Sequence, residues 1–256
     1  MNNLRGRLGG MLTWIAVVLV WHFVAVHSNA GPLFPPPATV LKAFILWLRS
    51  GDLVQDVAAS CGRVTLGWLI GTGVGLLVGL ITGVWSVGDR TIGSVLNTLR
   101  ALPPVALVPL AILWFGISEV SKIAIVGWGA FFPVWLNTHI GIRDIDRTVV
   151  WAARSLGARG SSLLFRVILP AALPQVVAGV RLAIGIAYVC VFVAELAGAS
   201  RGLGFRIATA HLTFRADLML AGLAVLGFFG YASDRVFVLG TGYLMPWTRS
   251  SVAGNG

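Results

Sequence analysis

The chain has 256 residues, 57% of them hydrophobic and only 11% charged, with a mean hydropathy of +0.88. Soluble domains run at roughly 45 to 50% apolar and about 25% charged, so this balance excludes an ordinary water-soluble fold and predicts an integral membrane protein. The formal charge of +10 is scattered between apolar stretches rather than gathered on one basic domain, which argues against nucleic acid and for anionic lipid or an acidic partner protein.

The opening MNNLRGRLGGMLTWIAVVLVWHFVAVHSNA is basic, then apolar, and ends with Ser28 and Ala30 spaced like a cleavage site. The apolar run Leu8 to Val26 is nonetheless long enough to cross hydrocarbon, and Trp14, Trp21 and His22 are untypical of a signal core. A retained first span over about 8–27 is expected. The connector GPLFPPPATVLKAFILWLRSGD follows. Its proline cluster precedes apolar residues at helical spacing (Val40, Leu41, Phe44, Ile45, Leu48), which predicts a short surface helix with Trp47 as interface anchor.

The second window, about 57–85, carries Gly67, Gly71, Gly75, Gly79 and Gly83. A glycine at every fourth position lets a neighbouring helix backbone come close, and packing drives association where lipid is as apolar as the helices. GTGVG within it has a superficial look of a phosphate loop, but no Lys-Ser/Thr follows. The third window, about 92–117, contains Pro103, Pro104 and Pro109, which lack amide donors and oppose a regular helix. Broken backbone at membrane depth is tolerated where protein buries it or a water-filled cavity is lined by it. Arg100, Pro103 and Pro104 are therefore candidates for a pathway wall, a plain kink being the alternative.

A fourth window covers about 121–138. The polar segment 139–170 comes next, with five arginines (Arg143, Arg147, Arg154, Arg159, Arg166) and two aspartates (Asp144, Asp146). Ile145, Val149, Ala152 and Leu156 recur at helical spacing and Gly157 offers a stop. Pro170 and Pro174 bracket the start of the fifth window, about 171–195. Within it lie Arg181 and Glu195, the latter one of only two glutamates. Ionisable groups at membrane depth mark a pathway or a paired structural contact, and both readings stay open for these two, as for Arg63. The sixth window is about 217–240. Cys61 and Cys190 have no ligand spacing, and the four histidines stand apart from any catalytic partner.

These windows predict an all-α polytopic membrane protein: one domain over 1–256, six transmembrane helices, core about 57–240. With the N-terminus inside, the cytoplasmic connectors hold ten Lys/Arg (Arg5, Arg7, Arg90, Arg100, Arg143, Arg147, Arg154, Arg159, Arg166, Arg249) against six outside, so both termini are expected in the cytoplasm.

AARSLGA followed by LFRVILPAALP resembles the cytoplasmic EAA loop of ABC-importer permeases. FPPPATVL, RALPPVALVPLAILWFGISEVSKI, GAFFPVWLNT, VAELAGASRGLG and the last apolar span are similar to the nitrate/sulfonate/taurine branch of that family, in order, over about 33–240. The resemblance implies a type I importer permease in the cell inner membrane that pairs with a second copy, as a homodimer. It also implies a pair of cytoplasmic ATPase subunits, which bind ATP and Mg, and an extracytoplasmic solute-binding protein. Residues 145–158 become the transmission helix, with Trp151, Ala152, Ala153, Arg154, Leu156, Gly157, Leu169 and Pro170 as its coupling set. The chain itself binds no cofactor and is no enzyme on this reading, in keeping with the missing Walker A pattern.

The family loop has Glu where this chain has Trp151. Tryptophan forms no salt bridge, but its face suits stacking on Arg147 or Arg154, which predicts docking through aromatic packing and arginines. Nitrate, sulfonates and taurine are the solutes of the branch resembled, while related permeases serve thiamine or riboflavin precursors and aromatic carboxylates. The candidate path residues are Arg100, Pro103, Pro104, Arg181 and Glu195. A stand-alone secondary transporter or channel is the alternative function, for which inverted repeats and midplane charges would be expected.

Overall fold

In lipid a backbone group finds no water to bond, so long apolar runs fold as helices that pair their N–H and C=O groups internally. The computed structural model describes the backbone of residues 2–27 and 31–244, with side chains over 9, 10, 12–27 and 31–242, and its regular structure there is helical throughout. Ser28, Ala30 and Arg249, and the side chains of Arg5 and Arg7, lie outside the described residues.

Four helices are long and apolar enough to cross a membrane, and a bent helix pair makes a fifth crossing if taken as one span. The first helix, α1 (Asn2–His27), is 26 residues long, with an apolar run described over Leu12–His27. Of the six expected windows, four coincide with continuous spans, the third with the bent pair and the first with α1.

Helix α2 (Pro37–Arg49) starts where Pro37 supplies a helical φ without needing an amide partner. It buries Val40, Ala43 and Trp47, whereas Leu41, Ile45 and Leu48 are exposed. Trp47, at 4% exposure, is therefore an internal residue rather than an interface anchor. The Trp47 indole N–H reaches a buried carboxylate, which outweighs what it would gain at a headgroup boundary.

Helix α3 (Asp52–Val84) packs its glycine stripe along α7 (Glu119–Arg143), and this pair forms the most extensive contact in the bundle. A Cβ at Gly79 would stand 2.6 Å from Thr138 Cβ, and one at Gly75 would stand 2.8 Å from the Phe131 carbonyl oxygen, so the spacing read from sequence is the docking surface. Between these helices lie α4 (Ser86–Gly88), a π turn (Asp89–Gly93), α5 (Ser94–Leu99) and α6 (Val108–Phe115). The expected third span is bent by 85° between Leu99 and Pro104. Extended backbone at Pro103 and a 3-10 turn over Pro104–Leu107 make the break, while Pro109 sits in the first turn of α6, where no amide donor is needed.

After α7 come α8 (Arg147–Ser155), α9 (Gly160–Leu163) and α10 (Leu169–Leu196). Pro170 and Pro174 do not delimit the fifth span: helix runs from Gly160 to Leu196, with a π turn over Leu164–Ile168 just before Pro170. The wider turn makes room for a ring that would collide with the carbonyl four residues earlier. Helix α11 (Leu203–Leu212) lies across the end of α10, and α12 (Ala216–Leu244) closes the bundle. Val126, Ala187 and Val191 form its dry centre.

Candidate coupling surface and buried charge network

Arg147–Ser155 folds as an isolated short helix because both of its ends are capped within a few residues. Asp146 accepts the Thr148 N–H at 2.8 Å, and this backbone hydrogen bond holds its carboxyl below the usual carboxylate range. At the other end Gly157, at φ +88°, donates its N–H to Arg154 O while Ala158 donates to Ala153 O, the paired bonds of a Schellman stop. The expected transmission helix over 145–158 is therefore a nine-residue helix with its caps.

The apolar groups of this helix are uncovered. Leu156 is 90% and Trp151 62% exposed, and Val149, Ala152 and Arg154 are exposed with them, Ala153 being half-buried. The Trp151 ring stacks on neither Arg147 nor Arg154; the cation–π contacts among the described residues involve Trp47 and Tyr231. Of the remaining coupling candidates, Leu169 is half-buried and Pro170 exposed at the start of α10. The same end of the bundle holds a polar chain in which the Thr82 hydroxyl oxygen lies 3.1 Å from Trp135 Nε1 and 3.2 Å from His139 Nδ1, and Arg143 binds Asp89 at 2.9 Å. It ties α3, the π turn and the last turns of α7 together next to α8.

At the opposite end Asp56, Ser60 and Arg63 share one face of α3 and meet the ends of α7, α10 and α11. Glu195 is 1% exposed. Arg63 Nη1 donates to Glu195 Oε1 at 2.6 Å and to the Arg201 carbonyl at 2.7 Å, while Nε and Nη2 donate to Glu119 at 2.6 and 2.8 Å. The Ser60 hydroxyl donates to the Glu195 carboxylate, 2.8 and 2.9 Å from its two oxygens. The amides that open α11 have no carbonyl of their own turn to bond. Gly202 N donates to Asp56, Leu203 N to Ser60 Oγ and Gly204 N to Glu195, at 2.9, 2.8 and 2.8 Å. Gly202 is required twice over, by φ +132° and because a Cβ would lie 2.5 Å from Glu195 Cδ. Arg206 adds bonds to Asp56 and Asp52, and Trp47 Nε1 donates to Asp56 at 3.1 Å.

The candidate path residues do not converge. Arg100 and Pro103 are exposed at the α5–α6 bend and Pro104 is half-buried. Glu195 belongs to the network just described, at the far end of α10 from Arg181. Arg181 instead makes a two-point contact with Asp234 of α12, at 2.7 and 2.9 Å, beside a cavity of about 570 Å³. Sequence reasoning passed over Asp56, Ser60, Glu119 and Asp234. The i, i+4, i+7 polar row on α3 and an aspartate inside the last apolar window were the signals available.

The profile of a family described as "Binding-protein-dependent transport system inner membrane component" matches residues 71–249. The chain is 35% identical over 246 residues to a Bacillus subtilis (strain 168) protein designated an aliphatic sulfonates transport permease protein, SsuC, covering 96% of this chain and 89% of that one. It is 33% identical over 240 residues to the taurine transport system permease protein TauC of Escherichia coli (strain K12), covering 91% and 87%. Among solved structures it resembles the inward-facing MetNI methionine ABC transporter with a TM-score of 0.63 at 21% identity, over 75% of this chain and 97% of that one. An amino acid ABC transporter with histidines matches with a TM-score of 0.63 at 17% identity, over 77% and 96%.

Proposed function

Because the chain belongs to the family of binding-protein-dependent transport system inner membrane components, we propose that it is the permease through which a small aliphatic sulfonate or taurine-like solute is imported, driven by a separate ATPase. It is an integral membrane permease of the importer type, and its relatives are permease subunits. The finer reading assigns α8 as the docking helix, the end bearing Asp146 and Gly157 as cytoplasmic, and the end bearing Glu195 as external. A second copy completes the path, and opening at one side alternates with opening at the other.

The observation that carries this reading is the uncovered face of α8. A rigidly capped helix with Leu156 and Trp151 in the open, on a polar segment of net +3, is built to be covered by another macromolecule. A lipid surface would cover it less specifically. Glu195, with its carboxylate consumed by Ser60, Arg63 and Gly204, is assigned to holding the external end together rather than to contacting solute.

The test is purification in mild detergent with the ATPase encoded alongside, followed by ATPase assays with the solute-binding protein loaded with ethanesulfonate or taurine. Copurification and solute-stimulated hydrolysis are expected, both lost in Leu156→Asp. Transport by the permease reconstituted alone, without any ATPase, would overturn the proposal. Trp151→Glu restores the family's acid and is expected to weaken coupling to a groove adapted to an indole; unchanged coupling would remove Trp151 from the docking contact.

A further inference from the structure

We propose that the cavity between α10 and α12 is a transit subsite for a small oxyanion with an aliphatic tail, held at the free edge of Arg181. This rests on the importer reading and names where the solute is contacted. Arg181 lies twelve residues into α10 and fifteen from its end, about 18 and 22 Å along the axis, deep within a hydrocarbon layer about 30 Å thick. Asp234 lies at a similar depth on α12. Their side chains are nevertheless 39% and 28% exposed. Ionised groups at that depth face protein or a water-filled cavity, not lipid.

The cavity beside them, about 570 Å³, is of the size that holds small ligands. Its donors are few. Thr241 is engaged with the Phe237 carbonyl and Gln175 with Asn137. Arg181 uses Nε and Nη2 on Asp234, and its Nη1 has no protein partner among the described residues. That leaves one guanidinium edge for an oxyanion, with Ala178, Leu182, Gly185 and Phe237 offering apolar wall for a short tail. Asp234 fixes the orientation of the guanidinium and cancels its net charge. An anion is then held weakly enough to leave, as passage demands.

The competing role is a polar fastening between two helices. Placing a thiol in the cavity separates the two roles. In a Cys61→Ala, Cys190→Ala background, Ala178→Cys is treated in nanodiscs with a methanethiosulfonate bearing a sulfonate and with one bearing a trimethylammonium, each rate being normalised to free thiol. The sulfonate reagent is expected to be favoured roughly tenfold by the hydrogen bond it can accept from the Arg181 Nη1 edge, with protection by ethanesulfonate. Arg181→Gln should abolish or invert that preference. A thiol inert to both reagents, or a preference indifferent to Arg181, overturns the proposal. As a second measurement, Arg181→Leu with Asp234→Leu keeps the helices packed without charge, and solute uptake is expected to fall roughly tenfold, as for one lost charge-assisted contact. Uptake equal to wild type would mean that the pair only fastens helices. Copurification of the ATPase is scored separately, so failure of the importer reading is distinguished from failure of the subsite.

Discussion

Glu195 owes its buried carboxylate to three donors that arrive from two separate segments: Ser60 and Arg63 of α3, and the amide of Gly204 in α11. Removing it takes the buried counter-ion from Arg63, which keeps Glu119 and the Arg201 carbonyl, and strands an α11 amide, so Glu195→Ala is expected to cost about 3 kcal/mol, read as a lowered unfolding temperature in detergent. Arg63→Ala should cost at least as much, because it leaves the buried Glu195 carboxylate without a counter-charge, and the double variant should cost less than the two together, because the two residues share one contact. Asp146 gives a different kind of residue-scale expectation. Its carboxyl is held low by the Thr148 amide, so the cap is fully present above the ordinary carboxylate range, near pH 4, and is lost as pH falls through the lowered value. The protection of the Thr148 amide, its exchange measured against the intrinsic rate at the same pH, should therefore fall in acid, and Asp146→Asn should remove that pH dependence while keeping the helix capped.

At the scale of elements, the α3–α7 seam separates glycines that are needed from glycines that are tolerated. Gly79→Ala places a Cβ 2.6 Å from Thr138 Cβ and is expected to destabilise by about 1 to 3 kcal/mol. Gly73→Ala, on the same helix but with nothing within 4 Å, should be neutral or stabilising by about 0.4 to 1 kcal/mol. Thermal unfolding of the two variants side by side checks the contrast, and equal effects would mean that α3 meets α7 on another face. The stripe was legible because a four-residue period maps onto one helix face whatever the partner. The orientation of α2 was not, since Leu41, Ile45 and Leu48 have the same hydropathy as residues that are buried. Asp56 on α3, with Leu53, Leu203 and Val225 packed around the ring, draws Trp47 inward.

Over the whole molecule, the capped α8 and the α11 network stand at opposite ends of the bundle, which on the proposed orientation are cytoplasmic and external. Leu156→Cys and Leu212→Cys, both at highly exposed positions, should react with a membrane-impermeant thiol reagent from opposite sides of a sealed vesicle, in a background lacking the native cysteines. Labelling from one side would overturn the topology. The candidate site was partly legible at this scale too. The α8 segment announced itself by its charge, its apolar spacing and its glycine stop, all properties of consecutive residues. The Arg63–Glu195 and Arg181–Asp234 pairs join residues 132 and 53 positions apart, and nothing local in either partner names the other.

Hydropathy, helical period and end-capping are short-range, so the sequence alone determined that the chain is helical, lies in a membrane, breaks near Pro103 and carries a capped polar segment between spans. Which charges neutralise one another, which face of α2 is internal, how sharply α5 and α6 bend and where a cavity remains were decided by helix docking. In a solvent as apolar as the side chains, shape and the satisfaction of buried polar groups choose among arrangements that hydropathy leaves equal.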